Sequence, residues 1–171
     1  MTLLVIAVSM VMPTLSKFFG GRALDSEVKR FMSLMHYGQT RAVSEGVPMV
    51  LWVDTAHNSY GLNQESTFGR DRDAVENDLA KGVTIGIAKN LNKVPIANSQ
   101  TGRIETGQAL QRKNKLPAIY FEPDGTINTA LSVGGISLQD TNSPAPVWIA
   151  PSASSDLGYE VTSQNPNSNR R

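Results

Sequence analysis

The chain of 171 residues has no cysteine, which removes disulfide frameworks, cysteine-based zinc sites and thiol chemistry together. A domain of this length can bury roughly 70% of its unfolded surface without a staple. The absence therefore excludes functions, not a fold. An excess of charge of one sign is missing too, since 16 Lys and Arg stand against 15 Asp and Glu. Net charge designates neither an acidic nor a basic partner. Its distribution is less even: from Asp54 to Ala80 six acids stand against Arg70 and Arg72, and from Lys81 to Lys115 seven bases stand against Glu105. A solvated surface is the ordinary reading of both stretches.

A long hydrophobic run is also lacking. Met1 to Met12 carries no charge, but it falls short of the roughly 20 apolar residues that span a bilayer. It has the length of a signal-peptide core, yet no basic residue precedes it and no small-x-small cleavage site follows. Three readings stay open: a signal peptide, a buried first helix, and the continuation of a longer apolar helix that begins upstream. In the last reading Pro13 kinks one rod running from membrane to globular domain.

Catalytic patterns are scarce. His36 and His57, the two histidines, have no ligand-type residue three or four positions after them, and no G-x-S-x-G, phosphate loop or dinucleotide fingerprint occurs. Asp71, Asp73, Glu76 and Asp78 cluster, but without the glycine and closing glutamate of a calcium loop. This segment reads as a solvated acidic face leading into a short helix at "LAKG". No enzyme activity, cofactor, metal or small-molecule substrate is expected. Arg112, Lys113 and Lys115 are candidate phosphate contacts, with Lys81, Lys89, Lys93 and Arg103 in the same stretch. No aromatic residue lies between Lys81 and Lys115 to stack a base. Trp52 and Trp148 sit in apolar strands and read as sheet packing.

What the chain does contain is periodicity. Leu24, Val28, Phe31, Met35, Gly38 and Ala42 recur at alternating spacings of four and three, with Asp25, Lys29, Arg30 and Arg41 between them. That is an apolar seam on a polar helix from about Thr14 to Glu45, stopped by Gly46 and Pro48. Beyond it, "PMVLWVDTAHNSYGL" reads as two strands around a turn at His57 and Asn58. "VTIGIA", "PAIYFEPDGTI", "APVWIA" and "LGYEV" read as further strands, Ile119 and Phe121 sharing a face and "PDG" supplying turn chemistry. Asn90 to Lys115 reads as a long irregular excursion. The organisation is thus a helix over 1–46, apolar over residues 1–13 and amphipathic over residues 14–46, a β-rich domain over 47–162, and a disordered polar tail over 163–171.

An apolar helix, "PTLSKFF", the run "LDSEVKRFMSLMHYGQTRAVSEGVPMVLWVD" passing straight into a strand, and "FEPDGT" together resemble the type IV pilin-like proteins. Within them the chain is most similar to the GspH/FimT family of minor pseudopilins and minor pilins. The family pattern has a basic leader, a cleavage site that exposes an N-methylated residue, and a glutamate within the apolar run. Val5 stands in place of that glutamate and Pro13 comes early, as they would if the leader and first turns lay upstream.

The resemblance implies an α+β, pilin-like fold, with the long N-terminal helix packed on a mainly antiparallel sheet domain. It implies a structural subunit of a type II secretion or type IV pilus-like machine. The membrane and filament-core face would be Leu3, Leu4, Val5, Ile6, Val8, Met10, Val11 and Pro13, and the seam on the sheet Leu24, Val28, Phe31, Met35 and Ala42. Partners would be other pilin-like subunits, the bacterial inner membrane before assembly, and prepilin peptidase if a leader exists, with the globular domain in the periplasm. A DNA-binding minor pilin using Arg112, Lys113 and Lys115 is one alternative. A secreted soluble β-domain is another.

Overall fold

The computed structural model describes residues 2–65, 71–88, 116–129, 131–143, 145–152 and 158–166, with helix side chains described from residue 21 onward. One α-helix, α1, runs from Thr2 to Glu45. It ends as its sequence dictates: Gly46 takes a φ of 67°, its N–H donates to the Ala42 carbonyl at 3.0 Å, and Pro48 follows.

Among the described residues eight strands follow: β1 (Met49–Asp54), β2 (Ser59–Gln64), β3 (Val75–Asp78), β4 (Val83–Ala88), β5 (Ala118–Phe121), β6 (Gly135–Asp140), β7 (Val147–Pro151) and β8 (Tyr159–Thr162). They form two four-stranded sheets, ordered β3-β2-β1-β5 and β4-β6-β7-β8. Every pairing is antiparallel. The β1–β2 turn falls at the expected place, with Asn58 at a φ of 51°. Asp54 holds it by accepting the N–H groups of Ala56 and His57.

Helix α1 packs on β1, β2 and β5 of the first sheet and on β6 of the second. Its buried stripe is accordingly wider than one seam: Leu24, Val28, Phe31, Met35 and Ala42 are buried, and so are Glu27, Leu34 and Arg41 beside them. Gly38 marks the closest approach, where an added Cβ would lie 2.7 Å from Leu62 Cδ1 and 3.1 Å from Phe121 Cε2. The inner sheet faces complete the core with Met49, Leu51, Tyr60, Leu62, Ile119, Phe121, Ile136, Leu138 and Ile149. On the first sheet's other face Trp52 is also buried, its indole lying across Gly61.

Three sequence expectations change. Val75–Asp78 is a strand, not a solvated run leading into a helix, and Lys81–Gly82 is a turn with Gly82 at a φ of 86°. Asp71 is buried rather than solvated, its side chain 5% exposed against an equally buried Arg41. Strand β6 lies in "GISLQD", a further strand in which Ile136 and Leu138 alternate with Ser137 and Gln139. In the polar tail, Gln164 N–H donates to Thr162 Oγ1, and Pro166 lies over Gly135. Asn90 to Lys115 lies outside the described residues.

Candidate assembly surface

The helix divides into two lengths. Among the residues whose side chains are described, from Gly21 onward, its apolar packing runs from Ala23 and Leu24 to Ala42. Residues 2–22 add about 30 Å of helix ahead of that point at 1.5 Å per residue. Leu3, Leu4, Val5, Ile6, Val8, Met10, Val11 and Pro13 all lie on this leading length, where the backbone is helical. Among the described residues no helix is long and apolar enough to cross a membrane. The uncharged stretch ends at Lys17, and Met1–Ser16 would span about 24 Å against a hydrocarbon core near 30 Å.

The trailing half is fastened by more than apolar contact. Phe31 and Tyr60 meet with ring centroids 5.0 Å apart, tilted by 54°. The Tyr60 hydroxyl donates to Glu27 Oε2 at 3.3 Å, and burial, with the Glu27 charge, pushes the phenol's pKa up. Arg30 pairs with Glu27 and reaches β3, donating to the Asn77 side chain and, at 3.3 Å, to the Asp78 carbonyl. Gln39 Nε2 donates to the Gly125 carbonyl at 2.5 Å, docking the "PDG" turn on the helix. Gly125 has a φ of 84°, and an added Cβ would lie 3.1 Å from Val43 Cγ2.

Arg41 is the strongest anchor. Its guanidinium forks onto Asp71 with bonds of 2.6 and 2.9 Å, bonds Glu45 Oε1 at 2.6 Å and reaches the Asp73 carbonyl at 3.2 Å. Asp71 in turn accepts the backbone N–H groups of Gln64 and Asp73. Burial alone would raise the Asp71 carboxyl. The Arg41 guanidinium and those two N–H groups outweigh it and hold the pKa below the usual carboxylate value. Glu45 is likewise depressed, chiefly by Arg41. By sequence, Arg41 falls on the polar rod and Asp71 on a solvated face. The one available hint was the spacing of Glu27, Leu34 and Arg41, seven residues apart beside the seam.

The remaining candidates do not converge on chemistry. His36 is exposed on α1. His57 is exposed too, its Nδ1 2.7 Å from Asp54 Oδ2. Among the described residues no three His, Asp or Glu side chains are grouped to hold a metal. Trp148 is half-buried on β7. Arg112, Lys113 and Lys115 lie outside the described residues. The geometry is that of a helix pinned to two sheets by its seam and by Arg30, Gln39 and Arg41.

No family model matches the chain, and no curated protein matches it significantly. Two solved structures of the minor pseudopilin EpsH from the type II secretion system of Vibrio cholerae do. One is 8% identical with a TM-score of 0.53, covering 84% of this chain and 96% of that one. The other is 9% identical with a TM-score of 0.47, covering 84% and 97%. At such identity the likeness is one of fold, carried by the first of the two. A single N-terminal helix on antiparallel sheets, matching that structure over most of both chains, gives this protein a pseudopilin-like α+β fold.

Proposed function

We propose that this chain is a pilin-like structural subunit, of the minor pseudopilin kind, in a type II secretion or type IV pilus-like machine of a bacterial envelope. One observation carries the reading: a single helix has its trailing half built into a double-sheet core while its first sixteen residues carry no charge. A rod apolar on all sides suits lipid and suits a bundle of like helices. Before assembly the rod tethers the subunit at the inner membrane, with the sheets in the periplasm. In the filament the rods of neighbouring pilin-like subunits pack together and the sheets face outward. The fold likeness to EpsH supports this use. The role is structural rather than catalytic.

The absence of cysteine makes the test clean. Val8→Cys and Ser33→Cys variants, each the only thiol in the chain, are expressed in the source cells and cross-linked in intact envelopes with a short thiol-reactive linker. Val8→Cys should form adducts with pilin-like subunits, and mass spectrometry of the isolated native protein should find a processed, N-methylated start. Recovery in the cytosol with an unprocessed start and no adduct overturns the proposal.

A further inference from the structure

A sheet of four strands has two edges, so the two described sheets have four, and among the described residues three are engaged at least in part. On β5 the carbonyls of Ala118 and Tyr120 accept the N–H groups of Val133 and Asn128, and Tyr120 N–H donates to Ser132 Oγ. On β3 the Asp78 carbonyl accepts Arg30. On β4 the N–H groups of Val83 and Ile85 go to the Ala80 carbonyl and to Asn58 Oδ1.

The β8 edge differs. Ser152 N–H donates to the Gly158 carbonyl at 2.9 Å, which fixes the alternation of the β7–β8 ladder. Glu160 and Thr162 turn their backbone groups toward β7, and Tyr159 and Val161 turn theirs outward. Among the described residues those outward N–H and C=O groups meet no partner. Side chains repeat the pattern. Ile87, Ile136, Ile149 and Val161 are paired in sequence across the sheet and share its core-facing side. Ile136 and Ile149 are fully buried, whereas Val161, last in the row, is 49% exposed. Natural edges are guarded by short strands, charged side chains, proline or a bulge. β8, of 4 residues with Glu160 among them, has the first two, though the charge does not fall on Tyr159 or Val161, whose backbone faces outward.

We infer that the β8 edge is a strand-addition site, which takes an extended segment of another protein carrying an apolar residue opposite Val161 and a basic residue opposite Glu160. The spacing of outward donors and acceptors suits an extended backbone. The apolar row lacks one member, and Glu160 is exposed on the opposite face. A second copy is a poorer occupant. Two β8 strands paired about Glu160 place like charges directly opposite one another, and pairing about Val161 shortens the shared ladder. The inference rests on the sheet edge alone and stands apart from the assembly role.

The test adds a short synthetic peptide of alternating lysine and valine to the full chain and follows amide hydrogen exchange. With peptide ten times above its Kd, exchange at Tyr159 and Val161 should slow about ten-fold, that at Thr84 and Ile87 remaining unchanged. Val161→Pro removes the outward N–H without touching the β7 ladder and should abolish the effect. Val161→Lys, which keeps every backbone bond, should weaken it as well. Equal protection by a peptide with its lysines and valines in separate blocks overturns the inference. So does no protection at all. A concentration-dependent dimer in sedimentation that protects these amides without peptide, and is lost in Val161→Pro, overturns the choice of a foreign strand in favour of a second copy.

Discussion

Arg41 on the helix and Asp71 ahead of β3 form a two-pronged ion pair with bonds of 2.6 and 2.9 Å, and each side chain is 5% exposed. Two buried charges are costly unless nearly all of their bonding capacity is used. Here Glu45, Gln64 and the Asp73 backbone complete the set. Removing one partner strands the other. Asp71→Ala should therefore cost about 3–5 kcal/mol in urea unfolding. The double change Arg41→Met with Asp71→Leu should recover part of that loss, because it removes the two buried charges together; Glu45, one-third exposed, loses its cation, and the Gln64 and Asp73 N–H groups lose their acceptor. A single variant as stable as the parent would mean that the pair does not fasten the helix.

The same network sets an acid limit. Asp71, Glu45 and Asp54 all titrate below their ordinary values in the folded chain, Asp54 chiefly through His57. A depressed carboxylate contributes stability that is complete above its unfolded pKa, near 4, and is lost as pH falls through the folded value. The urea midpoint should thus be similar at about pH 7 and about pH 5.5 and lower at about pH 3. In Asp71→Asn the drop should be smaller. A midpoint that holds steady down to about pH 3 contradicts the assignment.

Gly38 sets how closely helix and sheet approach. Alanine there gains helix propensity of about 1 kcal/mol but pushes its Cβ toward Leu62 and the Phe121 ring. Valine adds two methyls where the ring cannot withdraw. Gly38→Val should cost about 1–3 kcal/mol by overpacking. The near-ultraviolet signal of the aromatics should change with it. If Gly38→Val unfolds at the parent's urea concentration, the close approach does not limit packing.

Local regularity decided which elements could be read from the sequence. The seam from Leu24 to Ala42 was legible because helical period and burial coincide, and the β1–β2 hairpin because its turn chemistry is explicit. β3 was hidden because "VEND" is only four residues long and places Asn77 where its inward face would carry a second apolar residue beside Val75, its acids Glu76 and Asp78 being exposed. Its partner atoms, on Arg30 and β2, are remote in sequence. β6 was hidden because its alternation of Ile136 and Leu138 with Ser137 and Gln139 offers only two apolar positions between Gly135 and Asp140, too short a pattern to stand out from a polar loop. Arg41 and Asp71 carried no local signal, since a pair thirty residues apart is visible only when both elements dock.

Gly21 lies immediately before the packed length of the helix, and nothing about its place requires glycine. Its backbone is helical, the residue is exposed, and an added Cβ would meet nothing within 4 Å. Glycine in a helix interior costs about 1 kcal/mol relative to alanine, because its unfolded backbone is freer. Gly21→Ala should therefore stabilise the helix around it without repacking anything. Hydrogen exchange at the amides of Ala23, Leu24 and Asp25 should slow about five-fold, while the Phe31 and Met35 amides, held by the core, stay as they are. Thermal unfolding of the sheets should barely move, because Gly21 makes no contact with the core. If exchange at Ala23 to Asp25 is unchanged in Gly21→Ala, opening there is already coupled to the core. The boundary between the two lengths of the helix then lies further toward Thr2 than the packing of Leu24 places it.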